Sequence, residues 1–111
     1  MEQTICIFGD SIVWGGNDSA GGWTTRLRNS LYANFPDTCV FNLGIGGNTT
    51  EEILNRFDGE TIVRDPDIII FGIGINDSVY DMEFKEAHTS IEQFQKNIVH
   101  LITRARTYTE Q

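Results

Sequence analysis

Three short apolar runs punctuate the chain, at residues 4–8, 39–43 and 68–75. They are apolar at nearly every position and do not alternate with polar residues, which is typical of strands covered on both faces in a parallel sheet. Glycine follows the first two runs and interrupts the third. The pattern predicts three buried parallel strands.

Apolar residues at helical spacing predict three helices between and after these runs. The first ends near Pro36, and the second opens with a capping box of Thr49 and Glu52 and ends at residues 58–59. The third is the longest. The residues predicted to face the core are Trp23, Leu27, Leu31 and Phe35 on the first helix, Ile53, Leu54 and Phe57 on the second, and Ala87, Ile91, Phe94, Ile98, Ile102 and Ala105 on the third.

Strands and helices alternate along the chain, which predicts a single α/β unit. Right-handed crossovers place the helices on both faces of a parallel sheet and give three layers, α/β/α. Sheets of this kind bind ligands at the carboxyl ends of their strands. Functional residues are therefore expected just after Phe8, Leu43 and Ile75.

Length and charge narrow the possible functions. The 111 residues suffice for one domain, and a formal net charge of −8 lacks the basic surface that nucleic acid or an anionic membrane attracts. The longest apolar run is far shorter than the roughly 20 residues that span a bilayer. Because no signal peptide is visible, we expect a cytoplasmic protein. Cys6 and Cys39 lie in apolar runs and are predicted to be buried free thiols.

Polar groups follow each predicted strand in a glycine-rich turn. The turns are Gly-Asp-Ser at residues 9–11, Gly-Ile-Gly-Gly-Asn-Thr at residues 44–49 and Gly-Ile-Gly-Ile-Asn-Asp at residues 72–77. Ser11 can present a nucleophilic hydroxyl and its own N–H, Gly47 a second backbone N–H and Asn76 a side-chain amide. One nucleophile and three donors at one sheet edge form the outline of an oxyanion hole.

These turns resemble the motifs of the SGNH hydrolases, also called GDSL-type esterases and lipases. The first block of that family matches residues 8–11, with Gly15 and Gly22-Trp23 following. The second block matches residues 42–47, and the third, Gly-x-Asn-Asp, matches residues 74–77. All three occur in the family's order, each after a predicted strand, over residues 4 to about 77.

The resemblance implies a flavodoxin-like fold and hydrolysis of carboxylic esters or thioesters through an acyl-enzyme. Ser11 would be the nucleophile, and the Ser11 N–H, the Gly47 N–H and the Asn76 side chain would hold the oxyanion. The implied substrate is a small ester, with no metal and no organic cofactor. Asp10 and Asp77 are interpreted as hydrogen-bonding supports. The candidates for substrate contact are Trp14 and Asn48.

The catalytic Asp-x-x-His of the family has no match in this sequence. His88 and His100 are both assigned to the surface of the last helix and not to catalysis. We therefore expect residues 1–111 to be the N-terminal part of a single SGNH domain, with about three strands and three helices and little activity alone. The third strand would then be an open edge, which predicts a homo-oligomer or a domain swap.

Two alternatives remain at this point. The chain could bind acyl or acetylated ligands without turning them over, since it has the oxyanion donors but no base. It could also be an acidic phosphoryl-transfer domain in which Asp10 and Asp77 bind Mg²⁺.

Overall fold

A computed structural model describes residues 2–111, which form one three-stranded sheet, a small hairpin and four helices. In chain order the elements are β1 (Thr4–Gly9), α1 (Ser11–Trp14), α2 (Gly22–Asn34), β2 (Cys39–Gly44), α3 (Thr50–Ile62), β3 (Ile68–Gly72), β4 (Tyr80–Asp81), β5 (Glu86–Ala87) and α4 (Ile91–Ala105). No helix within this described part of the chain has the length and apolarity to cross a bilayer.

The main sheet is parallel, with strand order β2-β1-β3. β1 is central and fully paired, while β3 lies at an edge and all five of its residues are only partly buried. The fold is the predicted flavodoxin-like α/β/α arrangement. β4 and β5 pair in a separate antiparallel hairpin that the sequence pattern did not reveal.

Each face of the sheet is covered by its own apolar layer. On one face α3 and α4 pack against the sheet, and the buried residues are Cys6, Phe8, Leu43, Ile53, Phe57, Leu101 and Ala105. On the other face α1 and α2 contribute Val13, Leu27 and Leu31 against Ile5, Ile7 and Val40. The carboxyl ends of the strands remain uncovered by either layer, and the candidate site lies there.

Two predicted boundaries are wrong. β3 ends at Gly72 and not at Ile75, because its partner β1 ends at Gly9 and leaves the following residues without a ladder. α3 continues through Gly59 to Ile62. Gly59 has an ordinary helical conformation there, and the helix is supported across it by the Arg56–Glu60 ion pair.

The predicted inner face of the last helix is displaced in the structure. Ala87 belongs to β5, and Ile91 and Ile102 are 66% and 40% exposed. The residues that are buried on α4 are Asn97, Leu101 and Ala105. The helix is rotated toward α3, because Asn97 donates a hydrogen bond to buried Thr50 Oγ1 at 2.9 Å.

Three further burial predictions are wrong. Trp23 and Phe35, at the ends of the α2 face, are 38% and 53% exposed, whereas the central Leu27 and Leu31 pack against buried residues of the sheet. Cys39 is exposed because it begins the edge strand β2, whereas Cys6 is buried as predicted. Both thiols are free.

Candidate active site

Ser11 occupies the first turn of α1, directly after Asp10 at the end of the central strand. Asp10 caps this short helix: its side chain accepts a hydrogen bond from Ile12 N at 2.9 Å, and the residue is 2% exposed. N–H groups in the first turn of a helix have no acceptor within the helix. The exposed Ser11 side chain and the Ser11 N–H are therefore both available to a ligand.

All three strands of the sheet end in glycine, and these glycines lie side by side. Gly9 is in register with Gly44 of β2 and with Gly72 of β3. A Cβ atom on Gly9 would lie 2.2 Å from Val13 Cγ2, and one on Gly44 would lie 2.4 Å from Trp14 N. This glycine row lets α1 approach the sheet more closely than side chains would permit, and the close approach fixes the position of Ser11.

The loop after β2 passes beside Ser11. Ile45 N donates to Gly9 O at 3.1 Å and anchors the loop to the end of β1. A Cβ atom on Gly46 would lie 3.9 Å from Ser11 Cβ. Gly47, the next residue, is exposed and has a φ of 83°, in the left-handed region that favours glycine. The structure thus places Gly46 next to Ser11, and Gly47 is the following residue of the same loop.

Asn76 reaches the same loop from the turn after β3. Its Nδ2 donates to Asn48 O at 3.0 Å, and Ser78 N closes the turn by donating to Gly74 O at 3.1 Å. The predicted amide donor is therefore tied to the residue that follows Gly47. Ser11, Gly47 and Asn76 lie in the segments that follow three neighbouring strands, and Gly47 and Asn76 come three and four residues after the ends of β2 and β3.

Asp77, next to Asn76, is 2% exposed and holds the turn against two helices. Its carboxylate accepts hydrogen bonds from Thr50 Oγ1 at 2.6 Å and from Thr50 N at 3.1 Å. Thr50 Oγ1 accepts in turn from Asn97 of α4. The sequence missed the roles of Thr50 and Asn97. The only available signal was a threonine at the first position of a capped helix and an asparagine among apolar residues.

The two candidates for substrate contact differ in accessibility. Trp14, three residues after Ser11, is 62% exposed. Asn48 is 5% exposed, and its side chain is engaged within the protein: Nδ2 donates to Glu52 Oε2 at 3.2 Å, and Oδ1 accepts from Arg56 Nε at 2.9 Å. Sequence reasoning did not single out Arg56.

Both histidines lie on segments other than those that carry Ser11, Gly47 and Asn76. His88 follows β5 and is not on the last helix as predicted, since α4 begins only at Ile91. His100 is on α4, and both side chains are exposed. Within residues 2–111 no hydrogen bond joins either histidine to Ser11.

The described part of the chain contains no cluster of three or more His, Cys, Asp or Glu side chains suited to a metal ion. Both aspartates considered as Mg²⁺ ligands serve as acceptors for protein donors. Asp10 caps α1, and Asp77 binds Thr50. Nothing in the geometry therefore favours the phosphoryl-transfer alternative.

The family model of the GDSL-like lipase/acylhydrolase family matches residues 7–110. Among characterised relatives, an acetylxylan esterase from Geobacillus stearothermophilus is 30% identical over 90 residues, covering 77% of this chain and 41% of the relative. The uncharacterized lipoprotein YqeF from Bacillus subtilis is 29% identical over 112 residues, covering 96% of this chain and 44% of that protein.

Solved structures extend the similarity to the fold. A catalytic mutant of Axe2, an acetylxylan esterase from Geobacillus stearothermophilus, superimposes with a TM-score of 0.81 at 25% identity, over 97% of this chain and 56% of that chain. TesA superimposes with a TM-score of 0.80 at 27% identity, over 96% of this chain and 56% of that chain. The chain thus spans about half the length of the proteins it matches.

Proposed function

The chain belongs to the GDSL-like lipase/acylhydrolase family, and from this premise we propose that it carries the nucleophile and the oxyanion hole of a serine esterase. Ser11 attacks carboxylic esters or thioesters and forms an acyl-enzyme. The Ser11 N–H, the Gly47 N–H and Asn76 Nδ2 bind the oxyanion. The observation that carries the proposal is that these residues follow the ends of three adjacent strands, with Gly46 next to Ser11 and with Asn76 bonded to Asn48, the residue after Gly47.

In the first step Ser11 Oγ bonds to the carbonyl carbon while its proton passes to a base. The carbonyl oxygen becomes an oxyanion and accepts hydrogen bonds from the three donors, each typically worth about 10²–10³ in rate. Collapse breaks the bond to the alcohol or thiol, which leaves with a proton. Water then attacks the acyl group on Ser11, releases a carboxylic acid and restores the hydroxyl.

The proposed base comes from outside these 111 residues. No Asp-x-x-His occurs in the sequence, and within residues 2–111 neither His88 nor His100 is hydrogen-bonded to Ser11. Three of the solved Axe2 structures are catalytic mutants in which a serine, an aspartate or a histidine is replaced by alanine, the last two being three positions apart. By this analogy residues 1–111 are the N-terminal part of one SGNH domain and lack the base.

The substrate class that the proposal commits to is a small carboxylic ester or thioester. An acetylated sugar is one member of this class, because two of the similar proteins are acetylxylan esterases. The exposed indole of Trp14 lies three residues from Ser11 and provides a flat apolar surface of the kind that stacks on a sugar ring or packs against an acyl chain.

Selective acylation of Ser11 tests the proposal without needing a base for turnover. Oxyanion stabilisation and binding alone leave a residual acceleration of about 10³–10⁴ over water. After incubation with p-nitrophenyl acetate, peptide mass spectrometry should find the acetyl group on Ser11 well above the exposed Ser19 and Ser78. Asn76→Ala should slow this acetylation about 100-fold, and Ser78→Ala should not. Equal acetylation of the three serines would refute the nucleophile assignment.

Turnover of the same ester tests the missing base. Removing the base from a serine hydrolase typically costs about 10⁶ in kcat. After the one equivalent of p-nitrophenol that acetylation of Ser11 releases, we therefore expect the purified chain and Ser11→Ala to release p-nitrophenol at the same steady rate. Turnover that Ser11→Ala abolishes would place a base in the assembly, from His88, His100 or a second copy. Ligand binding without acetylation of Ser11 would favour the non-catalytic alternative.

A further inference from the structure

We propose that Arg56 is a positioning residue that holds the three oxyanion donors in one arrangement. The inference rests on the proposed function, and it assigns a role to a residue on α3 that does not itself touch substrate. Its guanidinium donates to Gly9 at the end of β1 and to Asn48 in the loop after β2. Asn48 in turn connects Arg56 to Asn76 in the loop after β3.

The first link joins Arg56 to the strand that carries Ser11. Arg56 Nη2 donates to Gly9 O at 3.3 Å, and this same carbonyl accepts from Ile45 N at 3.1 Å. Gly9 lies two residues before Ser11, directly under α1. One carbonyl oxygen therefore connects Arg56, the end of β1 and the loop after β2.

The second link passes through Asn48. Arg56 Nε donates to Asn48 Oδ1 at 2.9 Å, and Asn48 O accepts from Asn76 Nδ2 at 3.0 Å. Asn48 also follows Gly47 directly, so its backbone position sets the Gly47 peptide. A buried side chain of Asn48 thus transmits the position of Arg56 to two of the three proposed donors.

The guanidinium is itself fixed. Its side chain is 17% exposed, forms an ion pair with Glu60 one turn along α3, and lies with Cζ 5.6 Å from the centre of the Phe8 ring. Its planar fork directs donors at three acceptors at once: Asn48 Oδ1, Glu60 Oε2 and Gly9 O. A lysine keeps the charge but cannot reproduce this geometry.

We call this set of bonds from Arg56 to Gly9 and Asn48 the clamp. The clamp matters because the three proposed oxyanion donors belong to three separate segments of the chain. In the structure Asn76 Nδ2 is satisfied by Asn48 O, so a small displacement of Asn48 redirects the amide. Displacing a catalytic group by about 1 Å can cost about 100-fold in rate. We therefore expect loss of Arg56 to act on the chemical step more than on binding of the ester.

The test measures the Asn76 side-chain amide by NMR in the 111-residue chain, with its signals assigned by their loss in Asn76→Ala. Arg56→Lys should shift both Asn76 amide protons. Asn48→Ala removes the bond to Arg56 together with the bond from Asn48 Nδ2 to Glu52, and it keeps the Asn48 carbonyl. It should produce the same shift, which protects the test if Arg56→Lys folds poorly. Arg104→Lys is the matched control, because Arg104 forms an ion pair with Asp58 away from the site, and should leave the Asn76 signals unchanged. Unshifted Asn76 signals in a folded Arg56→Lys or Asn48→Ala would overturn the proposal.

The rate of Ser11 acetylation by p-nitrophenyl acetate gives the second readout. In Arg56→Lys the saturating rate should fall about 10- to 100-fold with the half-saturating ester concentration and the pH profile unchanged. A rise in the half-saturating ester concentration alone would contradict a positioning role.

If the Asn76 signals move but Ser11 is not acetylated even in the unmodified chain, the clamp stands and the esterase proposal fails. If Ser11 is acetylated at an undiminished rate in Arg56→Lys, the clamp fails.

Discussion

Cys6 and Cys39 lie on adjacent strands in opposite environments. Cys6 is on the central strand and fully buried, whereas Cys39 begins an edge strand and is exposed. Burial raises the pKa of Cys6 to about 11, because a thiolate there would lose its hydration. A cysteine reacts as its thiolate and only where a reagent can reach it. Cys39 should therefore be reactive in the folded protein and Cys6 should not.

Alkylation should separate them. With iodoacetamide at pH 8, the folded chain should take up one label, on Cys39, and a second on Cys6 only after unfolding in denaturant. Cys39→Ser should abolish labelling of the folded chain. Mass spectrometry of the intact protein checks this, and rapid labelling of Cys6 in the folded state would contradict its burial.

Sequence reasoning predicted that Ser11, Gly47 and Asn76 follow three strands, and in the structure they lie in the segments after β1, β2 and β3, because each position depends on the few residues that follow its own strand. Their roles as nucleophile and oxyanion donors stay a prediction. The supporting residues could not be found in the same way. Thr50 binds Asp77 across 27 positions, and Arg56 reaches Gly9 across 47. Contacts of that range depend on how the layers pack, and the sequence marks both residues only as members of a helix.

At the scale of elements, α3 shows why a glycine signal was misleading. Asp58-Gly59 is a common helix end, yet the helix runs on to Ile62. Thr61 is buried and its Oγ1 donates to Phe57 O at 2.6 Å, so the last turn is held by packing and by a side-chain bond. Tertiary contacts outweigh the cost of roughly 1 kcal/mol that glycine imposes in a helix.

Gly59→Ala should therefore stabilise the protein by about 0.4–1 kcal/mol. A Cβ atom at Gly59 meets no neighbour within 4 Å in the described structure, and its φ is not positive. Gly21→Ala is the matched control of opposite sign, since Gly21 has a φ of 82° and its Cβ would lie 2.5 Å from Thr25 Oγ1. Urea unfolding of the two variants measures the difference, and an unstable Gly59→Ala would contradict the helical assignment.

α4 illustrates the limit of periodicity. Its apolar residues fit a helix well, and the helix exists, but the predicted face is displaced because buried Asn97 turns toward Thr50. The spacing of apolar residues does not predict which way a polar residue turns when its hydrogen-bond partner is distant in the sequence. As a result Ile91, Val99 and Ile102 are 66%, 64% and 40% exposed on the outer side of α4.

At the scale of the whole molecule, the outer edge of β3 contacts the C-terminal residue at one position, where Ile69 N donates to Gln111 O at 2.9 Å. The rest of that edge adjoins no other strand, and the apolar side of α4 is exposed. Unpaired edge strands favour pairing with another chain. We propose that a second copy covers both surfaces, with β3 edges adjoining and α4 helices in contact. The acidic net charge opposes association, so the contact is expected to depend on concentration and salt.

Sedimentation velocity over a range of concentrations checks the association. The unmodified chain should form a dimer as concentration rises, and the double variant Val99→Lys, Ile102→Lys should remain monomeric. Thr103→Lys, exposed next to Val99 on the same helix, adds one charge without removing an apolar side chain and should still associate. If the unmodified chain were monomeric at every concentration, the proposed dimer would be refuted.

The glycine row at the end of the sheet has an evolutionary consequence. Gly9, Gly44 and Gly72 are far apart along the chain but adjacent in the sheet, so tolerance of substitution should be lowest along a line that crosses the strands. A side chain at position 9 would collide with Val13 and also with the backbone carbonyl oxygen of Gly72, 2.5 Å from its Cβ, so a smaller residue at position 13 would not accommodate it. Among descendants of this sequence, position 9 should therefore remain glycine for as long as serine is kept at position 11, and lineages that lose the row should also lose the constraint to keep that serine.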